Sequence, residues 1–486
     1  MVRISRSFIK GSLIYTLIGS LPMASAILLI PFYMADLSMA NFGALSIYMA
    51  FSLLIQLLVN YSFDASLYIH YHEYKSDPPK LASFISSAFV FMLLSGGILL
   101  ISFELIGDWV FARFFSDKDL SFHPYGQLAV LGGICQAIFK VHSNLLQTRE
   151  KPETFFWANL FVFSGIAIFT IAGLQYYPQT LMGPLGGRLL ALALAAVWVL
   201  FRIFKAYKIQ FNFRLLTASF SFNFYTFIYQ LQQWLINYFD RVLMLYFIPL
   251  TSVGVYDFAL KALIAIEFFM NGLHSSFFPK VVKEVMSQSL KTTTTNINRY
   301  YHGLIAAVMV VVSISVLIIP HLIEWLADHF HRPEYKLSIS LVPYIAAWYL
   351  IKVVRNYFGF PYSVLKYTKP LPVIYTITTI IKLAGVVIVI RNFGLVGIIL
   401  ISMFGSAIEV LLLHYQIKKK FNFHFNKLKI LIAPLLLVLI FIGGEFLLNS
   451  VDQNLRHAGY FISCLIILMG IYKNEFKYIK PFQILK

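Results

Sequence analysis

An acid and a base stand side by side in the stretch INYFDRVLMLYFIPL, where Asp240 and Arg241 interrupt a run otherwise suited to lipid. The pair fits the tip of a loop between two membrane helices, a purely structural ion pair, or part of a binding site. Neighbouring residues on a helix point about 100° apart. If the helix continues to about Ile248, we expect Arg241 to face a polar cleft and Asp240 to face another helix.

Further cations stand near the middle of other apolar runs, where each costs about 3 kcal/mol or more to insert. Acids in the same runs are fewer, so these cations suit an anionic substrate, and phosphate is a natural ligand of lysine and arginine. No CxxC, His/Cys cluster or Walker A motif occurs. The residues predicted to bind the anionic substrate are Lys140, Arg188, Arg241, Lys261 and Lys382.

Polar residues also form stripes on the predicted helices. On the seventh apolar run they fall within an arc of about 120°, and the first, second and eighth runs each carry a polar face. Hydrogen bonds between packed helices explain any one stripe, whereas four stripes together predict a hydrated cleft. The residues predicted to line this cleft are Gln56, Asn60, Gln230, Gln233 and Asn237.

Acidic residues in or beside the runs are candidates for a gate or for ion coupling. Asp257 and Lys261 are spaced i, i+4 and also fit a simple ion pair. The predicted gate or coupling residues are Asp64, Asp240, Asp257 and Glu267. We expect no cofactor and no metal, and leave open a proton or sodium ion as the coupling ion.

Two other groups of residues each allow two structural interpretations. Lys352 and Arg355 share a helix face with Trp348, and they fit either the polar interior or cations that reach the cytoplasmic interface. His70 and His72, in YIHYHEYK, are spaced for an extended metal clip, but we predict a solvated loop there.

The amino-acid composition indicates which structural elements hold these residues in place. The chain has 486 residues, of which 59% are hydrophobic and 12% charged, with a mean hydropathy of +0.75; soluble proteins are about 25% charged. Apolar runs of about 20 residues recur, and each is long enough to cross a hydrocarbon core. Because a backbone in lipid must satisfy its own hydrogen bonds, we predict an all-α polytopic membrane protein with about fourteen helices.

The basic residues orient this topology. They concentrate in alternate connections, as in the segment after the sixth run with Arg202, Lys205, Lys208 and Arg214. The positive-inside rule then places both termini in the cytoplasm. The net charge of +18 is explained by topology, so no nucleic-acid partner is expected. Short connections also leave no room for a large extramembrane catalytic domain, and we predict no enzyme activity.

A weak internal repeat suggests how the spans are grouped. PFYMADLSMANFGALSIYMA leads into the second run and YFIPLTSVGVYDFALKA into the eighth, with Gly43 and Gly254 in corresponding places. Parallel repeats are a transporter architecture. We predict an N-terminal lobe of six helices over 1–216, a second lobe over 217–420, and two appended helices with a cytoplasmic tail over 421–486.

Three segments in this order resemble bacterial polysaccharide-biosynthesis flippases, including the O-antigen flippases. They are FIKGSLIYTLIGSLPMASAILLIPFYMADLSMANFGALSIY, FDASLYIHYHE and FDRVLMLYFIPLTSVGVYDFALK. The resemblance covers nearly the whole chain and carries over Asp240 and Arg241, followed by Gly254, Tyr256 and Lys261. Asp64 stands where that family often has an acid. The arginine that often follows it is missing from SLYIHYH, which puts a cytoplasmic gate there in doubt.

The resemblance implies the two-lobed, MATE-like fold of the multidrug/oligosaccharidyl-lipid/polysaccharide exporter superfamily, in a bacterial inner membrane. It also implies a substrate, an oligosaccharide on polyprenyl diphosphate that moves from the inner to the outer leaflet, with membrane lipids and polysaccharide polymerase or assembly proteins as partners. Three alternatives stay open: a multidrug exporter of the same fold, a membrane polysaccharide polymerase or ligase, and a non-transporting scaffold of glycan assembly.

Overall fold

The structure, a computed structural model, describes residues 21–115, 120–287, 290–365, 367–418 and 425–473. Over these ranges the chain is helical, with no β-strand, and the predicted all-α fold class is confirmed. The start of the predicted first span, before Leu21, and the end of the C-terminal tail, after Lys473, lie outside the described residues. The first eight helices are α1 (Leu21–Asp36), α2 (Met39–Asn60), α3 (Phe63–Tyr74), α4 (Pro78–Phe115), α5 (Gln127–Thr148), α6 (Pro152–Tyr176), α7 (Met182–Tyr207) and α8 (Phe213–Met244).

The remaining helices follow the same alternation of long apolar elements and short connections. They are α9 (Leu250–Ala262), α10 (Ile264–Ser287), α11 (Leu290–His329), α12 (Val342–Val364), α13 (Leu371–Lys418), α14 (Ala433–Leu447) and α15 (Gln453–Ile471). Short π-helical turns, Phe122–Gly126 and Leu428–Ile432, precede α5 and α14, and a 3-10 segment, Pro333–Leu341, precedes α12.

The described helices have the length and composition of membrane spans. Ten helical segments of the described chain are long and apolar enough to cross a bilayer, so the prediction of a multi-pass membrane protein is confirmed, while the number fourteen stays a prediction. Helix α13 is 48 residues long, and Gly394, with φ +53°, breaks it internally. This break lies between the two apolar runs that the sequence separates there.

The chain divides into two compact units, Met1–Asp257 and Phe258–Lys486. In the first unit, α5 packs against α2, α3 and α7, and α6 packs against α1 and α7. In the second, α12 is central and contacts α10, α11, α13 and α14, while α11 also packs against α15. The lobe boundaries drawn from the sequence stay a prediction.

Small residues allow the helices of the first unit to approach closely, as is usual where lipid removes the hydrophobic drive for association. The two glycines of the internal repeat contact each other. A Cβ on Gly43 would overlap the carbonyl oxygen of Leu250, and one on Gly254 would overlap that of Met39. The beginnings of α2 and α9 therefore meet backbone to backbone.

The second apolar run is broken by two consecutive residues in the left-handed region. Tyr61 has φ +40° and Ser62 has φ +59°, and such non-glycine residues cost about 1–3 kcal/mol each. The break ends α2 and starts α3, whose first turn contains Asp64.

The prediction of a solvated loop at His70 and His72 is wrong, because both lie in α3. His70 Nδ1 lies 2.6 Å from Glu73 Oε2, one helical turn away. The sequence hides this helix because only its first turns, with Phe63 and Leu67, are buried, and the rest shows little apolar periodicity.

Candidate functional site

Three helices of the first unit meet at Asp64. The Asp64 carboxylate accepts hydrogen bonds from Gln230 Nε2 at 3.2 Å and from the Ala65 N–H at 3.0 Å. Lys140 Nζ lies 3.3 Å from its other oxygen. The side chain of Asp64 is nearly buried, and its place in the first turn of α3 lets the positive end of that helix stabilise the charge. The predicted residues Asp64, Lys140 and Gln230 are thus brought together.

Buried polar atoms without a hydrogen-bond partner among the described residues lie on both sides of the break that precedes Asp64. Asn60 Nδ2, Ser62 Oγ and Ser66 Oγ are examples, and all three residues are fully buried. Gln56 Oε1 and Gln230 Oε1 belong to the same group. Buried polar atoms in proteins normally find partners, so this concentration marks a region able to bind water or a polar ligand.

Arg188 reaches the same helix as Lys140. Its guanidinium donates from Nη2 to Gln136 Oε1 at 3.1 Å, and its Nε has no partner among the described residues. Gln136 and Lys140 are four residues apart on α5 and lie on one face. The Arg188 guanidinium therefore contacts the face of α5 that carries Lys140; that the two bind an anionic substrate stays a prediction.

Asp240 and Arg241 form a buried hydrogen-bond network with each other and with neighbouring residues. Arg241 Nε donates to Asp257 Oδ1 at 2.7 Å, and Nη1 donates to Asp240 Oδ1 at 3.0 Å and to the Asn237 carbonyl at 2.6 Å. The Tyr256 hydroxyl donates to Asp240 Oδ2 at 3.0 Å. The network joins the end of α8 to α9.

This network corrects the expectation that the adjacent side chains point to different places. Asp240 and Arg241 do pair with each other, and Arg241 is 6% exposed. The guanidinium turns back along α8 toward the Asn237 carbonyl, which brings it beside Asp240 despite the 100° offset of Cα positions. The role of Arg241 as a substrate contact stays a prediction.

The remaining polar residues of the α8 stripe serve different neighbours. Trp234 Nε1 donates to the Ala50 carbonyl of α2 at 2.9 Å. The exposed Asn237 donates to the Gln233 carbonyl of its own helix at 2.8 Å. The stripe thus includes a helix-packing contact, the Asp64 contact of Gln230 and an exposed polar surface.

The second unit places lysines around an indole ring. Lys352 Nζ lies 4.3 Å and Lys382 Nζ 5.6 Å from the centre of the Trp348 ring, and Lys352 Nζ is also 4.7 Å from the Tyr349 ring. Such cation–π contacts stabilise a cation away from water. The predicted Lys382 is buried here.

Acids flank this group on neighbouring helices. Glu267 of α10 lies 3.7 Å from Lys352 Nζ and accepts from the Tyr349 hydroxyl at 3.4 Å. Arg355 Nε lies 3.4 Å from Glu409 Oε1. The predicted Lys261 is half-buried near the end of α9. Lys352 was left outside the predicted site, although its shared face with Trp348 was the signal that could have placed it there.

No metal centre is formed in the part of the chain that the structure describes, where no group of three or more His, Cys, Asp or Glu side chains converges. The charged side chains present are lysines, arginines and a few carboxylates in the interior of helical spans. This arrangement can bind an anion by charge-assisted hydrogen bonds.

A family model described as polysaccharide biosynthesis protein matches residues 8–285, more than half of the chain. The chain belongs to the polysaccharide biosynthesis protein family. Among curated proteins, a Haemophilus influenzae protein of the Lsg locus is 24% identical over 200 residues, which is 41% of this chain and 45% of that protein. The alignment thus spans less than half the length of this relative.

Solved structures show the fold of this family member. A lipid II flippase MurJ in an inward closed conformation matches with a TM-score of 0.72 at 15% identity, over 95% of this chain and 99% of that one. An inward-facing MATE multidrug transporter matches with a TM-score of 0.59 at 11% identity. The MATE transporter DinF-BH, in complex with R6G, matches with a TM-score of 0.55 at 13% identity. Each of these two matches covers 86% of this chain and 96% of the other. The predicted MATE-like fold is confirmed.

Proposed function

We propose that this protein is a transporter that flips a polyprenyl-diphosphate-linked oligosaccharide from the cytoplasmic to the outer leaflet by alternating access. The cargo would be the repeat unit of an O-antigen, capsule or exopolysaccharide. One observation carries the proposal: a polysaccharide-biosynthesis chain with a flippase fold keeps lysine and arginine side chains deep within its spans, at Lys140, Arg188 and Lys382.

The chemistry of the cargo matches these residues. A diphosphate diester presents several anionic oxygens, and charge-assisted hydrogen bonds from lysine and arginine are among the stronger contacts available to them. The glycan would contact amide and aromatic side chains, and the polyprenyl tail would stay in lipid. An inside-negative potential contributes about 2.3 kcal/mol per charge per 100 mV to outward movement, so membrane voltage favours export of the anionic head group.

The competing functions make different demands on the interior. A multidrug exporter that carries lipophilic cations needs acidic groups where this chain has lysines and arginines. A polymerase or ligase would act on repeat units already at the outer face, and an assembly scaffold would not need interior cations at all. The location of the lipid-linked product in a deletion strain therefore distinguishes the proposed flippase from these three alternatives.

The test is complementation of a flippase-deficient strain, scored by surface glycan and by lipid-linked repeat units retained inside. Lys140→Gln, Arg188→Gln and Lys382→Gln are each expected to lower surface glycan and raise the internal lipid-linked pool. Lys336→Gln is the matched control, because Lys336 lies in the 3-10 segment before α12 and pairs with Asp328 at 2.7 Å. Full export by all three interior variants at normal protein levels would refute an anionic cargo held by these cations.

A further inference from the structure

The second unit contains a compact group of side chains that the predicted site did not include, around Trp348 on α12 and Lys382 on α13. We propose that Lys352 and Lys382, positioned by the Trp348 ring, form a diphosphate-binding site within this unit. The inference rests on the proposed function and deepens it, since it assigns the charged head of the lipid carrier to named side chains.

The depth of these residues suits a carrier in transit. Lys352 is the eleventh residue of α12 and Lys382 the twelfth of α13. At a rise of about 1.5 Å per residue, each lies roughly 15 Å from the start of its helix. A hydrocarbon core is about 30 Å thick, so if α12 and α13 cross it from their first residues, both ammonium groups stand near its middle.

The Trp348 ring fixes the spacing of the two lysines. Both Nζ atoms lie close to the ring centre, at 4.3 Å and 5.6 Å, so they are no more than about 10 Å apart. The indole N–H donates to Ser406 Oγ at 2.9 Å, which ties the ring of α12 to α13 and sets its orientation. A ligand with two linked phosphates can contact both ammonium groups at once, whereas a single phosphate reaches them less well.

The ring is not arranged as a platform for sugar. Carbohydrate stacks on an open aromatic face, but here Trp348 is 6% exposed and its ring is already contacted by two ammonium groups. The role that remains for this ring is to hold cations. This favours the phosphates of the cargo over its glycan as the group bound here.

Access and charge both point to Lys352 as the first contact. Its side chain keeps 18% exposure and that of Glu267 keeps 38%, whereas Lys382 is 3% exposed. The Glu267 carboxylate lies 3.7 Å from Lys352 Nζ, beyond the distance of a good hydrogen bond. An incoming phosphate can therefore replace Glu267 at Lys352 without breaking a tight ion pair.

Neighbouring charge adds to the attraction. Lys382 and Arg355 are close enough to Lys352 for their positive charges to act on it. Bringing cations together in a low-dielectric interior is costly, and an anion that contacts several of them relieves that repulsion.

The experiment measures binding of sugar-free prenyl lipids to the full-length purified protein in lipid nanodiscs. Farnesyl diphosphate, farnesyl monophosphate and farnesol share the tail and differ only in phosphate number. We expect the native protein to prefer the diphosphate. Lys352→Gln and Lys382→Gln should each weaken diphosphate binding by about tenfold or more, the worth of one charge-assisted contact, and reduce the preference for diphosphate over monophosphate.

Controls separate binding from folding. Lys352→Arg keeps the charge and should retain most of the preference. Lys336→Gln removes a lysine of the 3-10 segment before α12, which pairs with Asp328 and is not among the cations that contact the ring, and it should leave the preference unchanged. Trp348→Phe keeps an aromatic face but loses the Ser406 hydrogen bond, and we expect a smaller loss of preference than from either Lys→Gln variant. Thermal unfolding of each variant shows which ones are folded.

The outcomes distinguish this inference from the proposed function. A folded pair of Lys→Gln variants that keeps the native preference for diphosphate overturns the site and leaves the transport proposal standing. Native protein that binds farnesol as tightly as farnesyl diphosphate overturns both. If Lys352→Gln and Lys382→Gln both unfold, the preference shown by Trp348→Phe decides, and an unchanged preference in that variant rejects the site.

Discussion

The Lys140 ammonium group lies 3.3 Å from the Asp64 carboxylate, and the two side chains differ greatly in exposure, at 38% and 8% respectively. The acid is held from the inside by Gln230 and by the backbone at the start of α3. The base reaches it from the accessible side. Asp64 therefore stays hydrogen-bonded when Lys140 moves away, and Lys140 can exchange this carboxylate for an anionic ligand.

The Asp64–Lys140 pair should contribute little to stability. Because one partner is accessible, we expect Lys140→Gln to change the free energy of unfolding by about 1 kcal/mol or less. Glycan export should nevertheless fall. Thermal unfolding in detergent and surface-glycan staining measure the two effects on the same variant. A loss of stability of about 3 kcal/mol or more would show that the pair is a closed structural bridge instead.

Arg241 should behave in the opposite way. Replacing it with leucine leaves Asp240 and Asp257 buried without its guanidinium, and breaking a buried pair in this way costs about 3–5 kcal/mol. We expect Arg241→Leu to lower both the unfolding temperature and the amount of protein in the membrane. Arg113→Leu is the control, since Arg113 is exposed at the end of α4. Normal stability with loss of export would instead support Arg241 as a substrate contact.

Gly43 should tolerate no side chain. Alanine is the better helix former by about 1 kcal/mol, but a Cβ at this position overlaps the Leu250 carbonyl, and overpacking costs about 1–3 kcal/mol. We expect Gly43→Ala to be destabilising. Gly97→Ala, in α4 of the same unit, has no atom within 4 Å of the added Cβ and should be neutral or stabilising. Equal unfolding temperatures for the two variants would contradict the close approach.

Glu445 should hold the last two helices together. Its Oε1 accepts from the Tyr460 hydroxyl at 2.9 Å and lies 3.1 Å from Arg456 Nε, so α14 and α15 are joined through one carboxylate. Glu445→Gln keeps the hydrogen bond but leaves Arg456, 11% exposed, without its charge partner. We expect a loss of about 3 kcal/mol in a thermal unfolding assay, against no change for the exposed Glu324→Gln. A neutral Glu445→Gln would show that Arg456 finds another partner.

The sequence predicts the fold well because hydropathy is a local property. Most long apolar runs of the described chain become helices, although the eighth is divided between α9 and α10, and even the break at Gly394 is visible as a gap between two runs. The left-handed break at Tyr61 and Ser62 is not, because neither residue is a glycine or proline, and the polar residues around it also fit a helix that continues.

The sequence predicts which polar and charged residues stand at the candidate site, but it does not predict which of them contact each other. Helical periodicity places Gln230 and Trp234 on one stripe, but it cannot tell that Gln230 meets Asp64 while Trp234 meets the backbone of α2. Those contacts depend on which helices become neighbours. The pairing of Asp240 with Arg241 was missed for another reason, since a long guanidinium side chain can reach around the helix.

The contact between Gly43 and Gly254 has a consequence for how this chain can change. The glycines stand in corresponding places of the two segments that suggest an internal repeat, and each lies against the backbone beside the other. The arrangement is isologous, like the interface of a two-fold homodimer, but lies within one polypeptide. A side chain added at either position could be accommodated only if its counterpart became smaller, and glycine has no side chain to remove. Neither position can therefore accept a larger residue while the backbones of these helix ends stay in contact.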